Sequence, residues 1–198
     1  MKTWKKGILV SGIIIVGSLL IMACATPSGP HPVSPEGQAQ CIPKWVENPP
    51  SAEDGVYGSG LAKLQMAALS KQTADQRARN EVVKTIRVKV ETMLKEFMQQ
   101  SGLGEQAQAL NFSESVSKHI SSDVLSGCKI VKRKVCPDGT WYSLALWPIG
   151  NADALKKEIN NQAKKMVKNE VALYNEFKAK QSFEELQKEI DKLDLSKE

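Results

Sequence analysis

A chain of 198 residues with 41% hydrophobic and 25% charged side chains is long enough for one ordinary domain with appendages, and this balance excludes a wholly disordered protein. Its formal charge of +5 is only mildly basic, and it falls to +2 without the lysines of the first six residues. Net charge therefore argues for no particular partner.

Lys2, Lys5 and Lys6 open the chain, Gly7 to Met22 run apolar and uncharged, and Ala23 precedes Cys24. A membrane-spanning helix needs about 20 apolar residues. This run is shorter and ends without a basic stop-transfer cluster. Ile21, Met22, Ala23 and Cys24 resemble the lipobox of bacterial lipoprotein signals, with Met22 bulkier than the usual small residue. The resemblance implies that residues 1–23 are a signal peptide that is removed. It also implies that Cys24 becomes an acylated N-terminus carrying a diacylglyceryl group and an amide-linked chain, with no other cofactor expected. One acyl chain holds a protein only marginally, whereas several hold it durably. Ala25 stands where an inner-membrane retention signal would place Asp, which points to the outer membrane.

Residues 24–42 read as the lipidated cysteine and a tether, with prolines at 27, 30, 32 and 35. In polyproline form such a segment reaches roughly 55 Å. An α+β domain is expected over 43–150. Trp45 and Val46 should pin the incoming chain to it. Asp54-Gly55 reads as a turn into a short strand through Val56, Tyr57 and Leu61, eased by Gly58 and Gly60. From Leu64 to about Gln100, Ala74, Ala78, Val82, Ile86, Val90, Met93 and Phe97 form a helical stripe. "SGLG" at 101–104 breaks it, and residues 105–110 read as loop or frayed helix. A second helix is expected with Ser113 as its cap, Val116, Ile120 and Val124 on one face, and Gly127 at its end.

"CKIVKRKVCPDGTWYSLALWP" reads as a β-hairpin turning at Pro137-Asp138-Gly139. Alternation places Val131 and Val135 on one side and Ile130 on the other, with both flanking cysteines. The return strand runs from Thr140 to Trp147 and stops at Pro148, its middle buried on both faces. Residues 151–198 form a helical extension, with a stripe through Leu155, Ile159, Ala163, Val167, Val171 and Tyr174. A second stripe through Phe183, Leu186, Ile190 and Leu193 has coiled-coil spacing over too few heptads to be diagnostic. The expected order is β-α-α-β-β-α: a small, mainly antiparallel three-stranded sheet covered by the long first helix, with a long C-terminal helix. Its two open edges invite pairing with another chain, so a homo-oligomer or an envelope protein partner is expected.

In an oxidising compartment Cys41, Cys128 and Cys136 tend to pair. Along a regular strand Cys128 and Cys136 stand roughly 26 Å apart, beyond the about 7 Å that a disulfide spans. One bridge is expected from Cys41 to either Cys128 or Cys136, with the third cysteine buried or paired between chains. Three reduced, buried cysteines are the alternative.

Four strings, "PKWVENPP", "GVYGSGLAK" leading into "ADQRARNEVVKTI", "SKHISSDVLSGCKIVKR" and "DGTWYSLALW", occur in order over about 43–147. In order and spacing they resemble the Lpp-twenty family of bacterial outer-membrane lipoproteins. The resemblance implies a surface- or outer-membrane-associated lipoprotein with a compact α+β domain, dodecin-like in some members, and relatives that serve flagellar assembly. It carries over no catalytic residue.

Residue chemistry adds no enzyme. The two histidines, His31 and His119, have no C-x-x-C or H-E-x-x-H around them, so no metal site is expected. "GSG" at 58–60 is neither a nucleophile elbow nor a phosphate loop. Glu114 and Asp123 on one helix stand roughly 13 Å apart, too far for a glycosidase pair. Lys129, Lys132, Arg133 and Lys134, near Trp141 and Tyr142, form a candidate patch for anionic ligands. Lysines that protect an edge strand give the same pattern, and nucleic acid is the disfavoured ligand. The expectation is a non-enzymatic, membrane-anchored envelope protein acting through contacts. The alternatives are a tethered periplasmic activator of a peptidoglycan synthase, or an anion binder using the basic strand.

Overall fold

The computed structural model describes residues 41–50 and 54–195, all within one compact unit, Val33–Glu198. The signal segment 1–23, Cys24, residues 25–40 of the tether, His31 and the last three residues of the extension lie outside the described residues. The elements are a helical turn α1 (Lys44–Glu47), β1 (Gly55–Ala62), α2 (Ala67–Gln100), α3 (Gln106–Gly127), β2 (Lys129–Val135), β3 (Trp141–Pro148), a 3-10 turn (Ile149–Asn151), α4 (Ala152–Asn169), α5 (Val171–Ala179) and α6 (Ser182–Lys192). The architecture is α+β, with an open antiparallel sheet in the order β1-β3-β2. The central strand β3 is buried from Tyr142 to Ala145.

Residues Ala74, Ala78, Val82, Ile86, Val90, Leu94 and Met98 of α2 are all fully buried. They recur every four residues on a helix of 3.6 residues per turn, so the stripe precesses by about 40° at each step. Its first half faces the sheet, and its second half turns toward α3 and the C-terminal helices. At the sheet the approach is close. A Cβ on Gly58 would lie 2.5 Å from the Ala78 carbonyl oxygen and 2.8 Å from Val82 Cγ2, and one on Gly60 would fall on the Ala78 nitrogen and the Ala74 carbonyl. The glycines let the helix backbone rest on the strand. At the other end of α2, Phe177 lies 6.3 Å from Phe97, 6.3 Å from Phe112 and 5.0 Å from Phe183, centroid to centroid. Those tilted pairs are favourable aromatic geometries.

Four expectations are corrected. First, α2 begins at Ala67 rather than Leu64, because Leu64–Met66 form a turn locked by Ser70. The Ser70 hydroxyl accepts the Leu64 N–H at 2.9 Å and lies 3.1 Å from the Met66 carbonyl. Second, Ser113 caps nothing. The second helix starts at Gln106, and the buried Ser113 hydroxyl donates back to the Leu110 carbonyl at 2.9 Å. Burial of Ala109 and Phe112 beside Phe177 draws residues 106–112 into the helix. Third, the extension is three helices rather than one. It breaks at Glu170, which is extended, and at Gln181, whose φ of 53° is left-handed. These breaks fold Phe177, Leu186 and Ile190 back onto the core. Fourth, β2 carries a bulge between Ile130 and Lys132, and it reassigns the strand's faces.

Candidate functional site

Paired residues of an antiparallel ladder point to the same side of the sheet, so the register fixes which residues β2 shows to α2. Ile130 pairs with Ala145, Arg133 with Ser143 and Val135 with Trp141. Ala145 and Ser143 pair in turn with Gly58 and Gly60, which face the helix. Lys129, Lys132 and Lys134 pair with Leu146, Leu144 and Tyr142 on the opposite side. The extra residue, Val131, switches the alternation. As a result Cys136 no longer shares a side with Cys128 and Ile130. Cys128 packs into the main core with it, and Cys136 packs with Tyr142 under Trp45 and Val46.

Cys136 is bonded to Cys41, Cα to Cα 5.8 Å across 95 residues of sequence. The bridge fastens the described start of the chain to the base of the hairpin turn. The turn itself is tied by Asp138, which accepts the Thr140 N–H at 3.0 Å and its hydroxyl at 2.8 Å. Those bonds, with the Lys63 ammonium 3.3 Å away, hold the Asp138 carboxyl below the usual range despite an opposing desolvation effect. Cys128 remains a free thiol. Burial pushes it up to about 11, against the lowering effect of Arg79, so it is protonated and unreactive at neutral pH.

The four-residue basic patch does not assemble as expected. Arg133 is committed to the other side of the sheet. Its Nε and Nη2 donate to Asp75 Oδ1 and Oδ2, each at 2.8 Å. Ser143 Oγ donates to the same Oδ1 at 2.7 Å. Asp75 thus clamps α2 to both β2 and β3, with its side chain 13% exposed. Burial alone would raise its carboxyl, but the hydrogen bonds from Arg133 and Ser143 and the charges of Arg133 and Arg79 prevail and lower it. Lys129, Lys132 and Lys134 are exposed on the opposite side. Sequence reading missed Asp75. Its only signal was an acid directly beside the apolar stripe, 58 residues from the arginine that holds it.

A hollow of about 460 Å³ lies between the end of α3 and the start of α4, with Asp123, Trp147, Asn151 and Glu158 in its wall. It brings two carboxylates and the Ser126 hydroxyl together with no histidine or cysteine in its wall. Glu114 and His119 sit exposed on α3, His119 Nδ1 lying 2.7 Å from the Ser115 carbonyl of its own helix. Among the described residues, no cluster of His, Cys, Asp or Glu could hold a metal ion, and no helix is long and apolar enough to cross a membrane.

No family model, no curated protein and no solved structure, a dodecin-like one included, matches the chain. The likeness to the Lpp-twenty lipoproteins therefore rests on the sequence strings alone. What the geometry offers is a sheet end where the disulfide, the hairpin turn and the incoming chain meet.

Proposed function

We propose that this chain is a bacterial lipoprotein of the Lpp-twenty kind, held in the outer membrane by lipid on Cys24, with a non-enzymatic, structural role in the cell envelope exerted through protein contacts. Flagellar components are among the partners this reading admits. The observation that carries it is the lipobox: a basic start, an uncharged apolar run, and Ile21-Met22-Ala23-Cys24 directly before a proline-rich stretch. The Cys41–Cys136 bridge supports an oxidising compartment. It makes the tether's far end part of the folded domain, so that tension on the tether passes directly into the sheet. The open edge of β1, which carries no charged side chain over Gly55–Ala62, supports pairing with an envelope partner or a second copy.

The test compares wild-type and Cys24→Ser protein by membrane fractionation and in-cell crosslinking. The wild-type chain should travel with the outer membrane and crosslink to itself or to envelope proteins. The Cys24→Ser chain should leave that fraction and lose those crosslinks. An unchanged location would refute the reading.

A further inference from the structure

The end of β1, the turn after it and the first turn of α2 expose aliphatic side chains. Leu61 is 47%, Leu64 47%, Met66 60% and Leu69 45% exposed. The stretch from Leu64 to Ser70 contains no charged residue, and Lys63 and Lys71 bracket it. Scattered exposed leucines need no explanation, but four large apolar side chains exposed within nine residues, with lysines among and after them, are a concentration of the kind that serves an interaction surface.

Its place in the domain identifies the occupant. Ala62 pairs with Trp141, so this turn lies at the same end of the sheet as the hairpin turn. Lys63 Nζ reaches Asp138 Oδ2 at 3.3 Å. Leu61 pairs with Tyr142, whose ring packs on the Cys41–Cys136 bridge. Cys41 is where the chain arrives from Cys24, with sixteen residues between them. The exposed aliphatic turn is therefore at the anchored end of the domain. The helical end, with Val171 74% exposed, lies about 50 Å away along the 34-residue α2.

We infer that Leu61, Leu64, Met66 and Leu69 dip into the bilayer surface, with Lys63 and Lys71 at the level of anionic headgroups, so that the domain is seated on the membrane rather than hanging from its tether. Unbranched and γ-branched aliphatic side chains between lysines suit the headgroup–acyl boundary, where apolar groups bury about 5–10 Å deep and basic groups meet anionic lipid. This seating rests on the lipid-anchor reading and adds an orientation: β1–α2 turn down, α5 up.

The test uses the full lipidated protein, reconstituted in phosphatidylethanolamine–phosphatidylglycerol vesicles. Nitroxide labels are placed at Met66→Cys and, as the control, at Val171→Cys, and collision rates are read with oxygen and with a water-soluble relaxation agent. The label at 66 should favour oxygen and be shielded from the aqueous agent, and the label at 171 should show the reverse. Replacing Leu64 and Leu69 with Ser should return the label at 66 to water while the protein still floats with the vesicles. A label at 66 as accessible to the aqueous agent as the one at 171, on protein with acyl mass on Cys24, overturns the seating and leaves the anchor standing. Dipolar broadening between labels at 66 assigns the turn to a second copy and overturns it too. Absence of acyl mass on Cys24 overturns both.

Discussion

At its sheet end α2 meets glycines, hydrogen bonds and the neighbourhood of a disulfide; at its other end it meets rings. Ala74 and Ala78 rest on Gly58 and Gly60, and Asp75 clamps the helix to two strands. The far end is filled by Phe97, Phe112, Phe177 and Phe183. It is trimmed by Lys180, whose ammonium donates to the Ser101 and Gly102 carbonyls just past the helix at 3.2 and 2.7 Å, and by Glu176, which accepts the Gly104 N–H at 3.0 Å. One end is specified by geometry and the other by volume. Opposite changes should therefore be costly at the two ends: adding a methyl at the sheet, and removing carbon among the rings.

The largest effect expected is at the far end. Phe177→Ala empties a site where the ring is fully buried and should cost about 4 kcal/mol, read as a lower denaturant midpoint. If the loss were below about 1 kcal/mol, the rings would not be holding that end. The bridge comes next. Cys41→Ser with Cys136→Ser opens a loop of 95 residues and should cost up to about 4 kcal/mol. Hydrogen exchange should rise in the hairpin and α1 while the ring end stays protected. Uniform loosening of both ends would erase the contrast between them. Gly60→Ala should cost about 3 kcal/mol, since the new methyl meets helix backbone that cannot step aside; a neutral result would show that α2 is free to shift.

The smallest effect belongs to the clamp. Asp75→Asn should cost about 2 kcal/mol by weakening charge-assisted bonds. The carboxyl is lowered in the folded state. Its stabilisation is therefore complete above the ordinary carboxylate pKa of about 3.9 and is lost as pH falls through the lower folded value. Wild type should lose stability over that acidic window more steeply than Asp75→Asn. Parallel pH curves would deny the clamp its role.

The contrast also explains what the sequence could say. Repeated small and aliphatic residues at four-residue spacing announced α2, and Pro137-Asp138-Gly139 announced the hairpin, because periodicity and turn chemistry are local. The bulge at Val131 was invisible. A valine is an ordinary strand residue, and only the pairing with β3 shows that one position is skipped. That single residue decides that Cys136 rather than Cys128 faces Cys41, and that Arg133 leaves the lysines for Asp75. The breaks at Glu170 and Gln181 carry no Gly or Pro, and it is packing against the rings that turns the chain there. Leu64–Met66 were read as the start of the helix because the hydroxyl of Ser70 that holds them in a turn is recognisable only once its partners are known.

The account stands or falls on what occupies the first position of the mature chain. Intact mass and N-terminal peptide mass of protein extracted from membranes measure this directly. The expected result is a chain beginning at Cys24 and carrying a diacylglyceryl group and an amide-linked acyl chain. A chain that begins elsewhere, or a Cys24 with no added mass, would contradict it.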